Sequence, residues 1–303
     1  FSADFSHYLL YHTDANSPQT VTLHASDGKQ LRLLQDNAEL KKTLAAYNLS
    51  PKEFIEVDNG AGTRLNGYMI KPANFNPKKK YPVLMFVYGG PGSQTVDASF
   101  GQYYMWFQYL AQLGYVVVSV DNRGTGYRGA AFKKSTYLQL GKYEVEDQIA
   151  VAKYLGSLPY VNKDKIGIFG WSYGGYMSSL AITKGADVFK AAVAVAPVIN
   201  WRFYDSIYTE RYMRTPQENA SGYDDNSPSS HADKLKGAYL LIHGTADDNV
   251  HFQNAMVMVD KLVNANKQFE FMAYTDKNHG IGGGVTRLQL FTKITNFLDA
   301  NLK

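Results

Sequence analysis

From residue 82 to the end of the chain, short, largely apolar runs alternate with stretches of helical spacing. The runs are Pro82–Tyr88, Tyr115–Asp121, Ile166–Trp171, Ala191–Ala196, Tyr239–His243 and Phe269–Tyr274. Their β-branched content and regular recurrence favour strands over buried helical segments. A strand covered on both faces reads as continuously apolar, because neither set of alternate side chains meets water. Between the runs, Phe100–Leu113, Tyr143–Leu158 (closed by Pro159), Tyr173–Lys184, Phe252–Asn266 and Val285–Leu302 read as helices, and Phe54–Val57 and Gly67–Lys71 as leading antiparallel strands. This rhythm predicts an α/β fold, a mostly parallel sheet with helices on both faces.

Residues 1–36 have a different texture. Tyr8–His12, Thr20–His24 and Gln30–Leu34 read as short strands, separated by Asn16-Ser17-Pro18 and by an Asp27-Gly28 hairpin signal. Three short strands are marginal alone, so they are expected to belong to a larger β domain lying mostly outside this chain. With 303 residues, 45% of them hydrophobic, the chain supports one large α/β domain and an appendage. The first residue, Phe1, reads as a processing boundary with sequence missing upstream. The net charge of +4 is dispersed, and Lys78–Lys80 reads as a solvated loop, which argues against a nucleic-acid partner. The chain has no cysteine, which excludes disulfides, thiolate metal sites and a cysteine nucleophile. No apolar run approaches the roughly 18 residues that a membrane-spanning helix requires.

The strongest chemical signal is Gly170-Trp171-Ser172-Tyr173-Gly174, a G-x-S-x-G pattern between an expected strand and an expected helix. That context is a nucleophile elbow: small residues flanking the turn let strand and helix approach, and the serine projects beside the helix N-terminus. A serine hydroxyl needs an adjacent base. His279, in the loop Asp276-Lys277-Asn278-His279-Gly280 after the last strand, falls where the chain order serine, acid, histidine requires it. The remaining histidines read as structural or unassigned. The acid belongs in the loop after Tyr239–His243, where Asp247 and Asp248 compete and spacing does not separate them; Asp276 is a weaker third choice. Oxyanion donors are expected from the backbone N–H of Tyr173 and from the loop Tyr88-Gly89-Gly90-Pro91-Gly92, where the Tyr88 hydroxyl is a further candidate. Tyr204, Tyr208 and Tyr212 recur four residues apart, which puts them on one face of an expected helix; such a stripe is either core packing or a pocket wall for a small ring.

Together, GWSYGGY (170–176), VYGGPGSQ (87–94), DNRGTGYRG (121–129), EVEDQI (144–149), AVAPVINWRFYDSIYTERYM (194–213), HGTADDNVHFQ (243–253) and YTDKNHGI (274–281) resemble the dipeptidyl peptidase IV branch of the prolyl oligopeptidase family, over roughly residues 40 to 303. The resemblance implies an α/β-hydrolase fold and a serine peptidase that releases N-terminal X-Pro, less readily X-Ala, dipeptides. It implies Ser172, Asp247 and His279 as the catalytic residues, and Tyr88 with Tyr173 as oxyanion donors. It implies a proline pocket of Val198, Trp201, Tyr204, Tyr208 and Val250, with Asn249 on a substrate carbonyl. No cofactor and no metal are expected. Residues 1–36 become the last strands of an N-terminal β-propeller, residues 37–303 the peptidase domain, and the residues that bind the substrate's amino terminus lie outside this chain. A homodimer is also implied. The lack of cysteine suits a bacterial source, with a periplasmic or cell-surface location as the expectation. Two other readings are a relaxed esterase or acylaminoacyl-type peptidase, and a non-catalytic scaffold; the latter would be expected to lack the nucleophile or the base.

Overall fold

The computed structural model describes residues 1–303 apart from Gln102. In chain order the elements are β1 (His7–His12), β2 (Thr20–Ala25), β3 (Gln30–Gln35), α1 (Ala38–Ala45), β4 (Lys52–Asp58), β5 (Arg64–Ile70), β6 (Tyr81–Phe86), α2 (Tyr104–Gln112), β7 (Val116–Val120), α3 (Ala130–Lys134), α4 (Lys142–Ser157), β8 (Val161–Trp171), α5 (Tyr173–Lys184), β9 (Ala191–Val195), α6 (Ser206–Met213), α7 (Ala220–Asp224), β10 (Ala238–Gly244), α8 (Gln253–Asn264), β11 (Glu270–Tyr274) and α9 (Thr286–Leu302).

The main sheet has eight strands in the order β11-β10-β9-β8-β6-β7-β5-β4. The pairs from β11 to β7 are parallel, while β5 pairs antiparallel with both β7 and β4. The continuous apolar runs have their physical cause here, because alternate residues enter two different cores. In β7, Val116, Val118 and Val120 pack on one side and Val117 on the other. In β9, Ala192 and Ala194 face the first core and Ala191, Val193 and Val195 the second. Helices α4, α5 and α8 cover the first side through Val151, Leu155, Met177, Leu180, Met258 and Leu262. Helices α2 and α9 cover the second through Phe107, Leu110, Leu290, Ile294 and Leu298. At about 25 cal/mol per Å² of apolar area, two such layers dominate the stability of the domain. Gly167 in β8 has a packing reason: a Cβ there would lie 2.6 Å from Leu302 Cδ1 of α9.

Differences from expectation are local. Strand β8 begins at Val161, five residues before the apolar run, because its polar first half, Asn162–Lys165, hides the strand from a hydropathy reading. Strand β6 ends at Phe86 rather than Tyr88, as the chain turns into the glycine loop. Helix α2 starts at Tyr104 within the broader stretch expected, which includes the undescribed Gln102. Helix α1 buries no residue and left no apolar stripe to read.

Strands β1–β3 form a separate antiparallel sheet with a largely exposed β3. It is tied to the main domain where Asn16 Oδ1 accepts from the Lys52 N–H at 2.7 Å and Thr13 Oγ1 from the Phe100 N–H at 3.3 Å. Among the described residues no helix is long and apolar enough to cross a membrane.

Candidate active site

Ser172 stands between β8 and α5 with φ 61° and ψ −118°, a sparsely populated conformation for a residue with a side chain. Its N–H donates to the Val195 carbonyl at 2.8 Å, which holds the turn against β9. The glycines around it are sterically required. A Cβ on Gly170 would lie 2.2 Å from the Gly174 carbonyl oxygen, and one on Gly174 would lie 2.1 Å from the Val87 carbonyl oxygen. Both obstacles are backbone and neither can swing away. Tyr173 is the first residue of α5, so its N–H has no acceptor within the helix and is free for a ligand.

His279 Nδ1 lies 2.8 Å from Asp247 Oδ2, with the aspartate side chain fully enclosed and the imidazole partly open. The other oxygen, Asp247 Oδ1, accepts from the N–H groups of Asn249 and Val250 at 3.0 and 2.9 Å. Burial raises the pKa of this carboxyl, but hydrogen bonds from His243 and His279 and the charge of His279 outweigh it, holding the group well below the usual carboxylate range. The two competing aspartates separate by orientation: Asp247 is buried and meets His279, whereas Asp248 is exposed. With Nδ1 engaged by Asp247, His279 Nε2 is the ring nitrogen left for another partner. Ser172 and His279 line one cavity of about 440 Å³.

Tyr88, in the loop after β6, is partly exposed, and burial pushes its phenol pKa upward, so it remains a proton donor at neutral pH. Its ring centroid lies 6.0 Å from that of Tyr173. Three hydrogen bonds brace this loop from beneath. Asn122 Nδ2 donates to the Gly89 carbonyl at 3.0 Å, Gln148 Nε2 of α4 donates to Asn122 Oδ1 at 3.0 Å, and the Gly92 N–H donates to the Gly124 carbonyl at 2.9 Å. A Cβ on Gly89, which has φ 78°, would meet Asn122 Oδ1 at 2.7 Å.

On the other side of Tyr173 an aromatic cluster forms. Trp201 is buried and lies 5.4 Å from Tyr173 and 5.9 Å from Tyr208, while Tyr204 meets Tyr208 edge-on at 5.3 Å. Val198 and Val250 are buried beside it. The Tyr204 hydroxyl donates to Asn249 Oδ1 at 2.7 Å, which leaves the Asn249 Nδ2 protons free of that contact. The expected single helical face needs correction. Tyr204 is extended and precedes α6, whose N-terminus is capped by Asp205 Oδ1 accepting from the Tyr208 N–H at 2.8 Å. The aspartate competes with helix for the backbone, and the three rings assemble across a break.

Sequence reasoning passed over several residues that support this site. Glu144 of α4 is fully buried, accepts from the Tyr173 hydroxyl at 2.7 Å through Oε1, and leaves Oε2 unpartnered. Burial pushes its pKa up to about 7. Asp147 takes two hydrogen bonds from the Arg123 Nε and one from Nη2, with the Arg123 N–H adding another at 2.8 Å, and so anchors the 121–126 loop. A signal existed: Glu144 and Gln148 fall in helical register with Val151 and Leu155, so polar groups occupy the core-facing stripe of α4. His243, buried at the end of β10, places Nε2 within 3.2 Å of Asp247 Oδ2 and 2.8 Å of the Val250 carbonyl. Among the described residues no cluster of three or more His, Asp or Glu is arranged to hold a metal ion.

A mostly parallel sheet carrying a strained serine at a strand–helix turn, with a histidine–aspartate pair over the same cavity, is the α/β-hydrolase arrangement. The profile of the prolyl oligopeptidase family matches residues 102–303, and the chain belongs to that family. Dipeptidyl peptidase 4 of Sus scrofa is 43% identical over 306 residues, covering 98% of this chain and 40% of the relative. Prolyl endopeptidase FAP of Homo sapiens is 41% identical over 310 residues, with 98% and 40% covered. The crystal structure of Porphyromonas gingivalis dipeptidyl peptidase 4 superposes with a TM-score of 0.97 at 48% identity, covering 100% of this chain and 43% of that one. The chain thus spans about 40% of the length of the curated relatives it matches.

Proposed function

We propose that this chain is the catalytic part of a serine peptidase that releases N-terminal dipeptides ending in proline, less readily in alanine. The observation that carries the reading is the His279–Asp247 contact at 2.8 Å over the Ser172 elbow, flanked by the Trp201–Tyr204–Tyr208 cluster. Ser172 Oγ attacks the acyl carbonyl while His279 Nε2 takes its proton, and the buried Asp247 carboxylate stabilises the imidazolium. The developing oxyanion accepts from the Tyr173 N–H and the Tyr88 hydroxyl. Collapse breaks the C–N bond, His279 returns the proton to the leaving amine, and water then hydrolyses the acyl-enzyme with His279 again as base.

Val198, Trp201, Tyr204, Tyr208 and Val250 suit a pyrrolidine ring, which is compact, apolar and carries no N–H to satisfy. In this reading Asn249 Nδ2 donates to a substrate carbonyl, its Oδ1 being taken by the Tyr204 hydroxyl. Residues 1–36 are the last strands of an N-terminal propeller, and residues 37–303 are the peptidase domain; the separate β1–β3 sheet supports that division. The propeller supplies the groups that hold the substrate's amino terminus, and two copies pair as a homodimer.

The test is hydrolysis of Gly-Pro-p-nitroanilide, its N-acetylated form and a p-nitrophenyl ester by the complete natural chain and its Ser172→Ala variant. Cleavage of the free-amine prolyl substrate alone, lost in the variant, is the expected result. Ester cleavage without prolyl cleavage by the complete chain would overturn the proline specificity.

A further inference from the structure

The cavity onto which Ser172 and His279 open is lined on its remaining sides by Lys52, Asp97, Tyr103, Trp171 and Arg287 among others. None of the residues assigned to the proline pocket lines it. In the peptidase reading, on which this inference rests, it therefore receives the part of the substrate beyond the scissile bond.

Its two cations differ in availability. The Lys52 ammonium donates to the Ser99 carbonyl at 2.9 Å, lies 4.8 Å from the centre of the Tyr68 ring, and has Asp97 as a neighbouring opposite charge. Its charge is already answered from within the protein. Arg287 is different. Its guanidinium carbon lies 4.8 Å from the centre of the Trp171 ring, and the Tyr103 hydroxyl stands beside it. A Cβ on Gly280 would come within 4.0 Å of Arg287 Nη2, so the guanidinium adjoins the residue that follows His279. Among the described residues, Arg287 enters no ion pair. Trp171 is itself fixed, since its Nε1 donates to the His279 carbonyl at 3.0 Å.

We propose that Arg287 binds the free C-terminal carboxylate of a short leaving peptide, giving the site a preference for substrates with one or two residues after the scissile bond. The indole face attracts the cation and restrains it, while the guanidinium N–H groups can pair with a carboxylate through two parallel hydrogen bonds. The fixed Trp171 links that orientation to the catalytic histidine, so the leaving amine and the distal carboxylate are held by one unit. Arg287 is exposed, and solvent screening limits the effect to about fivefold in kcat/KM.

The experiment compares Gly-Pro-Ala with its C-terminal amide, using the complete natural chain, with Gly-Pro-p-nitroanilide as a substrate lacking the carboxylate. Wild type is expected to favour the acid over the amide about fivefold at low salt. That ratio falls toward one in Arg287→Gln, is partly kept in Arg287→Lys, and falls in wild type as ionic strength rises. Because the readout is a ratio within each enzyme, a loss of folded protein does not mimic it, and the salt series needs no variant. A wild-type ratio near one, or a ratio unchanged in Arg287→Gln, overturns the inference. If none of these substrates is cleaved in a Ser172-dependent way, the peptidase reading falls and this inference falls with it.

Discussion

The Tyr173 hydroxyl donates to Glu144 Oε1 at 2.7 Å with both side chains out of contact with water, so a carboxyl from α4 fixes the residue that follows the candidate nucleophile. Burial raises the Glu144 pKa from 4.5 to about 7. The folded state therefore binds more protons than the unfolded state between those values, and stability falls as pH rises through the window. Relative to Glu144→Gln, which keeps an acceptor for Tyr173 and cannot ionise, wild type should lose about 3 kcal/mol between pH 4.5 and pH 7 and little beyond. Denaturant unfolding of both proteins across this range measures it; parallel curves would mean that Glu144 does not titrate there.

Asp247 and Asp248 should separate by kinetics. Asp247→Asn leaves His279 with a wrong tautomer and should lower kcat by about 10⁴. Asp248, exposed and away from His279, should tolerate the same change within about threefold, as surface substitutions usually do. Steady-state kinetics on a dipeptidyl anilide decides, and the opposite ranking would move the acid to Asp248.

Tyr88→Phe keeps the ring and removes only the hydroxyl. On the proposed oxyanion role of that hydroxyl, its loss should lower kcat by about 10² to 10³ with KM little changed. An equal rise in KM with kcat intact would instead make Tyr88 a ground-state contact.

Under the proposed peptidase mechanism Ser172→Ala should abolish turnover, on the order of 10⁴ to 10⁶ in kcat, because nucleophile, base and acid act as a unit. Ser172→Gly should be equally inactive yet no less stable than Ser172→Ala, since glycine accepts the φ of 61° without the strain of about 1–3 kcal/mol. Thermal melts of the two variants compare them.

Gly174→Ala should prevent folding of the elbow altogether, because its methyl would meet the Val87 carbonyl oxygen at 2.1 Å and the backbone on both sides is fixed by sheet and helix. Soluble yield and circular dichroism report this; a folded, active Gly174→Ala protein would show the elbow to be looser than the geometry demands.

The architecture was legible because burial on both sheet faces writes itself as continuous apolar runs, and the elbow because its glycines answer to backbone collisions two residues either side of Ser172. Chain order points to His279 as the partner of an acid in the 244–250 loop, and the two meet at 2.8 Å. Spacing could not separate Asp247 from Asp248, since adjacent residues differ only in which way their side chains turn, and resemblance to a family was needed to prefer Asp247. The spacing of Tyr204, Tyr208 and Tyr212 fits one helical stripe, but Asp205 caps α6 and leaves Tyr204 outside it.

By itself, the sequence determined the alternation of strand and helix and the strand–turn–helix setting of Ser172, properties of neighbours along the chain. Tertiary structure alone decided that Glu144 lies beneath Tyr173 and that Arg287 lies over the Trp171 ring beside Gly280, and it turned Asp247 rather than Asp248 toward His279. Those contacts join residues 29 to 116 positions apart, and their distances depend on how layers pack, which no local pattern encodes.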